Sequence, residues 1–269
     1  MIRSRLRYFL LATLAAACLV PAARADDKPI RALLVAGGCC HDYKRQKDIL
    51  TEGISARANV QWVIAYDPDG GTRHLNPVYE KDDWAKGFDV VVHDECSSDV
   101  TDLKLIERIL KPHREGLPGV VVHCGMHCYR SAGFPRMTPW FEFTGLPSTG
   151  HGAQLPIAVT YVDKDNPITR PLQDWTTVNE ELYNNSAGKV LDTARPLARG
   201  KQSAQDFVTV WTNIFNGKTR VFGTTLGHNN LTVDDSRYLD LVTRGLLWSV
   251  DKLDAEHLKP AKKVLLDNK

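Results

Sequence analysis

Short apolar runs bounded by turn residues recur through the first half of the chain, at Arg31 to Ala36, Val60 to Ala65, Phe88 to His93 and Gly119 to His123. Runs that are apolar at nearly every position suit strands covered on both faces. Between the first two, Tyr43 to Arg57 sets Ile49, Leu50 and Ile54 among charges, which reads as a helix. Between the last two, Asp102 to Lys111 spaces Leu103, Ile106, Ile109 and Leu110 along one helical face. The order strand, helix, strand, loop, strand, helix, strand predicts an α/β fold, a doubly wound, mostly parallel sheet with helices on both faces. Past Cys128 the pattern changes, and Pro135, Pro139 and Pro147 break any long helix. The runs Leu155 to Tyr161, Thr176 to Tyr183, Phe207 to Ile214 and Arg220 to Leu226 alternate more, as antiparallel or edge strands do. A last helix from Asp235 to Val250 puts Leu239, Val242, Leu246, Leu247 and Val250 on one side. The polar connection from Gly70 to Asp83 is longer than a minimal crossover, as loops that lip a cleft often are.

The first twenty-five residues stand outside this pattern. Arg3, Arg5 and Arg7 precede the apolar run Tyr8 to Val20, and Ala23-Arg24-Ala25 fits a small-residue cleavage site. The run is shorter than the roughly twenty residues needed to cross a bilayer, so a cleaved leader and a periplasmic or secreted protein are expected, with no stable membrane span. Three segments result: the leader at 1–25, one α/β domain over 26–253, and a polar tail over 254–269. Losing the leader removes four arginines and no acidic residue, which turns the formal charge of +2 into −2. A nearly neutral chain lacks the basic face that nucleic-acid binding requires, so no nucleic-acid partner is expected.

Five cysteines remain after the leader, Cys39, Cys40, Cys96, Cys124 and Cys128. An odd number in an exported protein leaves at least one free, metal-bound or paired between molecules. Cys124 and Cys128 stand four apart, a spacing that zinc could use, although buried inert thiols are the plainer expectation for most of the five.

Candidate chemistry concentrates at strand exits, where ligands meet open α/β sheets. His41, His123, His127, His151 and His228 all follow apolar runs. Gly119-Val-Val-Val-His123-Cys124-Gly125 has the shape of a strand entering a tight turn, the arrangement that exposes a nucleophile in elbow-type enzymes. Against the Gly-x-Cys-x-Gly-x-Gln elbow of class I glutamine amidotransferases, His123 takes the cysteine place and Cys124 is one residue out of register. That departure argues against glutaminase chemistry.

Gly37-Gly38 followed by His41-Asp42-Tyr43, the strand ending at His123, Thr144-Gly145 with Gly150-His151, Asp165-Asn166-Pro167-Ile168-Thr169, Glu180-Glu181-Leu182-Tyr183, and Arg220 through His228 together resemble the ThuA-like family of trehalose utilisation. The likeness covers about residues 30 to 250, and the ordered set carries it rather than any one motif. It implies a flavodoxin-like, class I glutamine amidotransferase-like fold and a place in carbohydrate metabolism, near sugar oxidoreductases and 3-keto sugar enzymes. Two departures stand out: Glu180-Glu181 replaces the usual Asp-Glu, and Asn166-Pro167 the usual His-Pro.

A keto-sugar has acidified C–H bonds beside its carbonyl, and isomerisation or elimination there needs a base and an electrophile. His123, His151, Glu181 and His228 are the candidates for catalysis, with Glu180 expected to face outward beside Glu181. His151, Glu181 and His228, joined by His123 or His41, are the candidate set for a divalent metal such as zinc, though no compact ligand motif backs it. Metal-free acid–base catalysis stays open, as do hydrolysis of a glycoside and a carbohydrate-binding module without catalysis. His41, Asp42, His127, Trp140 and Tyr183 are candidates for binding a small-molecule carbohydrate, and Phe141 and Trp211 for a stacking platform. Plainer roles compete: Asp42 as a helix cap, His127 on a helix surface, the aromatic rings as core. His74, His113 and His257 are expected in solvent, and Trp62, Trp84 and Trp248 in the core. Gly37-Gly38-Cys39-Cys40 is no dinucleotide-binding turn and no Walker sequence occurs, so no nucleotide cofactor is expected. A homo-oligomer is left open.

Overall fold

A computed structural model describes residues 28–186, 188–261 and 265–267. The expected leader at 1–25 therefore lies outside the described residues. One ten-stranded sheet runs through the molecule, in the order β10-β2-β1-β3-β4-β9-β8-β7-β5-β6. Its first half comprises β10 (Leu265–Leu266), β2 (Val60–Asp67), β1 (Ile30–Gly38), β3 (Val90–Cys96), β4 (Gly119–Val122) and β9 (Thr219–Thr224), all parallel. Its second half, β8 (Gln205–Phe215), β7 (Ala194–Gln202), β5 (His151–Tyr161) and β6 (Trp175–Tyr183), is antiparallel throughout. The expected mostly parallel sheet is thus a mixed one.

Helices cover both faces of the parallel half. On one side α1 (Tyr43–Ser55) and α5 (Ser236–Ser249) bury Ile49, Ile54, Leu239 and Val242 against Ala32, Leu34 and Phe222. On the other, α2 (Leu103–Glu115) and α3 (Pro139–Thr144) bury Ile106, Ile109, Trp140 and Phe143 against Leu33, Val35 and Val121. Alternate residues of β1 feed opposite cores, as the pleat requires. Each long helix starts on an aspartate, Asp42, Asp102 or Asp235, whose carboxylate accepts from first-turn amides. Asp42 is therefore a cap, and its second oxygen also accepts from the Asn230 side chain.

Two elements differ from expectation. Helix α2 runs through Pro112, whose ring lacks the N–H that the Arg108 carbonyl would use; the Trp84 indole donates to that carbonyl instead (3.4 Å). The stretch after 253, expected as a polar tail, adds the edge strand β10 beside β2. Among the described residues no helix is long and apolar enough to cross a membrane.

Candidate active site

The parallel strands end together, and their exits bring distant histidines to one place. Strand β1 leads to His41, β4 to His123 and β9 to His228, while β6 crosses from the antiparallel half to deliver Glu181. One ligand atom from each of His41, His123, Glu181 and His228 falls within 4.8 Å of all the others. Beside them opens a cleft of about 590 Å³, lined by His41, Asp42, Tyr43, Tyr66, Asp67 and His228 among others. Pro68 and Gly70, the start of the long polar connection, form part of its wall.

His123 sits at the first turn after β4 with φ +44°, in the left-handed region that costs a non-glycine residue about 1 kcal/mol. The elbow expected from the sequence is present and presents an imidazole. Its Nδ1 lies 2.7 Å from the Thr225 carbonyl, which can only accept, so Nδ1 carries the proton and the inward-pointing Nε2 is an acceptor. Tyr183 Oη donates to that Nε2 (3.2 Å), and Glu181 Oε2 lies 3.5 Å from it. A tautomer fixed through the far nitrogen is the arrangement in which proteins hold metal-binding histidines.

Glu181 is the hub. His228 Nδ1 lies 3.3 Å from one of its oxygens, and His123 and His151 each 3.5 Å from the other. Burial alone would raise its pKa, but the imidazoles gathered around it, His123 foremost and then His151 and His228, outweigh burial and lower it to about 2. His41 goes the opposite way. Burial, reinforced by His123 and His228, lowers it to about 2, so at neutral pH it is an uncharged imidazole. The Nδ1 atoms of His41 and His228 are buried and make no hydrogen bond, although that of His228 lies close to Glu181.

The remaining predicted residues fall in three places. His151 stands exposed at the rim, touching Glu181 but outside the four-atom cluster, so His41 rather than His151 completes the compact set. His127 is buried, not on a helix surface; its ring stacks on Tyr183 at 4.0 Å and its Nε2 meets Ser148 Oγ. Tyr183 is itself buried between the rings of His127 and His151. Trp140, Phe141 and Trp211 have no exposed surface, and the two indoles donate to the Gly125 and Thr144 carbonyls. A ring with no exposed face cannot stack on a sugar, so these three belong to the core.

Glu180 corrects the expectation most. It is fully buried, and its carboxylate accepts from the amides of Gly227, His228 and Asn229 (3.4, 3.0 and 2.9 Å). Gln46 holds the same loop from the other side, donating to the Gly227 and His228 carbonyls. Adjacent glutamates on β6 thus have separate tasks, one positioning the His228 loop and one meeting His228 itself.

Sequence reasoning missed Asp94 and Glu95. Asp94 is buried at the end of β3, where burial pushes it to about 7 despite the opposing pull of His123. Glu95, on the other face, accepts from Tyr79 and Tyr129 and pairs with His93. Their signal was present: three ionisable residues, His93-Asp94-Glu95, continue a strand that is otherwise apolar. His74 and His113, expected in solvent, are both buried.

Gly125 makes the elbow compact, since a Cβ there would lie 2.5 Å from the His93 carbonyl oxygen. Backbone cannot yield as a side-chain tip can, so Gly125→Ala is expected to lower stability by about 2 kcal/mol in urea unfolding, the scale of an overpacked core. A loss below about 0.5 kcal/mol would show that the turn has room.

The family model described as trehalose utilisation, ThuA, matches residues 50–249. No curated protein matches the sequence. Among solved structures, a protein described as ThuA-like from Parabacteroides merdae superposes with a TM-score of 0.60 at 20% identity, over 88% of this chain and 93% of that one. Another from Bacteroides uniformis gives 0.61 at 15% identity, over 84% and 95%. A β-galactosidase from Rahnella gives 0.55 at 12% identity, over 83% of this chain but 31% of its own. At these identities the likeness is one of fold.

Proposed function

This chain belongs to the ThuA family of trehalose utilisation, and from that membership we propose that it is an exported, carbohydrate-active enzyme whose His/Glu cleft works on a keto-sugar or glycoside with a divalent metal held by His41, His123, Glu181 and His228. The observation that carries the proposal is the convergence of three imidazoles and one carboxylate within 4.8 Å, with His123 locked in a metal-binding tautomer. The donor set of three nitrogens and one oxygen suits zinc or a similar borderline ion. Such an ion, when bound, polarises a carbonyl and so acidifies the neighbouring C–H.

The protein groups divide the remaining work. His41 is neutral at physiological pH and serves as a donor atom rather than an acid. Glu181 stays ionised and balances positive charge in the cleft. His151 is the imidazole left outside the ligand set; exposed and 3.5 Å from Glu181, it is positioned to take a proton from a ligand and be stabilised once charged. The Arg-led apolar leader supports export.

Elemental mass spectrometry on protein purified without chelator should give near one equivalent of metal, lost in Glu181→Gln and in a His123→Ala, His228→Ala double variant. His151→Ala should keep the metal and yet lose about 10²-fold or more in solvent-deuterium exchange into a keto-sugar, the usual weight of a general base. Metal absent from the wild type would sink the metal assignment. Sugar affinity without exchange or turnover in the wild type would make the protein a binding module.

A further inference from the structure

Four of the five cysteines that follow the leader gather beneath the histidine cluster. Cys39–Cys40 and Cys96–Cys124 are disulfides, and Cys128 is free and buried. The two pairs differ in access. Cys40 is exposed and lines the cleft, whereas Cys39, Cys96 and Cys124 are buried. Yet Cys39 Sγ lies 3.5 Å from Cys96 Sγ.

That contact is built by the sheet. Gly38 pairs with Cys96 across β1 and β3, and the Cys39 amide donates to the Cys96 carbonyl (3.2 Å). Gly38, at φ +91°, allows this approach, since a Cβ there would lie 2.2 Å from the Cys96 carbonyl oxygen. A sulfur on an exposed disulfide is thereby fixed against a sulfur of a buried one.

We propose that Cys39–Cys40 is an exchange-active pair that passes reducing equivalents from an external dithiol in the cleft to the Cys96–Cys124 disulfide beneath the histidines. A thiolate of the external dithiol attacks the exposed Cys40 sulfur, forms a mixed disulfide and releases Cys39 as thiolate; the second external thiol then resolves it, leaving Cys40 as a thiol and the external dithiol oxidised. The Cys39 thiolate attacks Cys96, forming Cys39–Cys96 and releasing Cys124, which takes a proton. The Cys40 thiol, deprotonated, attacks Cys39, re-forms Cys39–Cys40 and releases Cys96 as a thiol. Two electrons and two protons have moved from the external dithiol to the inner pair. Thiol–disulfide exchange requires access to the attacked sulfur, and Cys40 supplies it.

The destination matters because Cys124 follows His123 in the elbow and Cys96 follows Glu95. The Cys96 and Cys124 sulfurs also lie within 4.8 Å of a His41 nitrogen. Reduction would place two thiols at the edge of the nitrogen and oxygen donors.

The test is timed reduction of the full chain by dithiothreitol under native conditions, with acid quench, alkylation and peptide mapping. In the wild type, Cys96 and Cys124 should become alkylatable at a rate close to that of Cys40. Cys39→Ser should slow reduction of the inner pair at least 10-fold, and unfolding in urea should abolish the difference. Cys40→Ser should trap the intermediate, a Cys39–Cys96 disulfide with Cys124 free. An intact Cys96–Cys124 bond beside a free Cys39 thiol in Cys40→Ser would overturn the relay. So would inner-pair reduction in the wild type no faster than in Cys39→Ser, which needs only that the wild type and one variant fold.

Discussion

Replacing Glu180 by alanine is expected to cost about 3 to 5 kcal/mol of stability and to displace His228, although Glu180 is not a member of the cluster of His41, His123, Glu181 and His228. Its carboxylate satisfies three consecutive amides at residues 227 to 229, and hydrogen bonds to a charged group are worth roughly 1.5 to 3 kcal/mol each. Truncation leaves those amides buried and unpaired around a methyl group. Gln46 still grips the carbonyls of the same loop, so the fold should survive while His228 loses its fixed position. If the cluster holds zinc as proposed, its affinity should then fall about 10- to 100-fold, the usual effect of losing a residue that orients a ligand. Glu180→Gln keeps one acceptor oxygen but turns an NH₂ toward the amides, so it should fall between wild type and alanine. Urea unfolding and zinc titration check both. Stability within about 0.5 kcal/mol of wild type and unchanged zinc affinity would show that Gln46 and the Asp42–Asn230 contact hold the loop alone.

That role could not be read from the sequence. Alternation along a strand says that Glu180 and Glu181 point to opposite faces, and the ordinary inference sends one of them to water. Glu180 is instead buried, because the loop after β9 folds onto that face of β6 and its amides at 227 to 229 donate to the carboxylate. The inference fails on a tertiary contact that no local pattern encodes. The rank of His151 over His41 fails differently: the sequence reads His151 as a strand exit with the others, but it opens strand β5 in the antiparallel half and stands exposed at the rim.

The parallel half was legible because its strands are buried on both faces and therefore apolar nearly throughout, from Leu33 to Ala36 and from Val90 to Val92. Strand β7 was not. Its segment Ala194–Gln202 carries Arg195, Pro196, Arg199 and Lys201, with Leu197 and Ala198 the buried apolar pair, and its register shifts at Pro196. Pairing with β8 and β5 makes it a strand where its own residues do not. Without β7 the second half of the sheet could not be ordered, so its antiparallel extent was invisible. The aromatic residues were misjudged for a related reason. Trp140 and Trp211 read equally as stacking platform or as core until the Gly125 and Thr144 carbonyls that accept from their indole N–H groups are in place.

Acid should unfold this protein early, and His113 should account for about one proton of the dependence. The hydrogen-bond chain assigns its charge state. His113 Nδ1 donates to the Leu117 carbonyl (2.7 Å), so its Nε2 accepts from His93 Nε2 (3.2 Å), while His93 Nδ1 donates to Glu95 (2.8 Å). Protonating His113 would set two N–H groups against each other in a core walled by Trp84 and Phe143. Burial first, then the charge on His93, accordingly lower His113 to about 3. The unfolded chain binds a proton at about 6.5 that the folded chain refuses until about 3, so stability contributed by this site is complete above 6.5 and is lost as pH falls toward 3. The full loss is on the order of 5 kcal/mol. His41 and Glu181, both held at about 2, pull the same way, whereas Asp94, raised to about 7, opposes them as pH falls from 7 toward 3.8. Those contributions are common to wild type and His113→Phe, so comparing the two isolates His113. Unfolding free energies measured from pH about 4 to about 7 should show the variant less stable at neutrality, where the Leu117 carbonyl loses its donor, and shallower in slope by up to about 1.4 kcal/mol per pH unit. Parallel curves would mean that His113 titrates in the folded protein as it does in the unfolded chain.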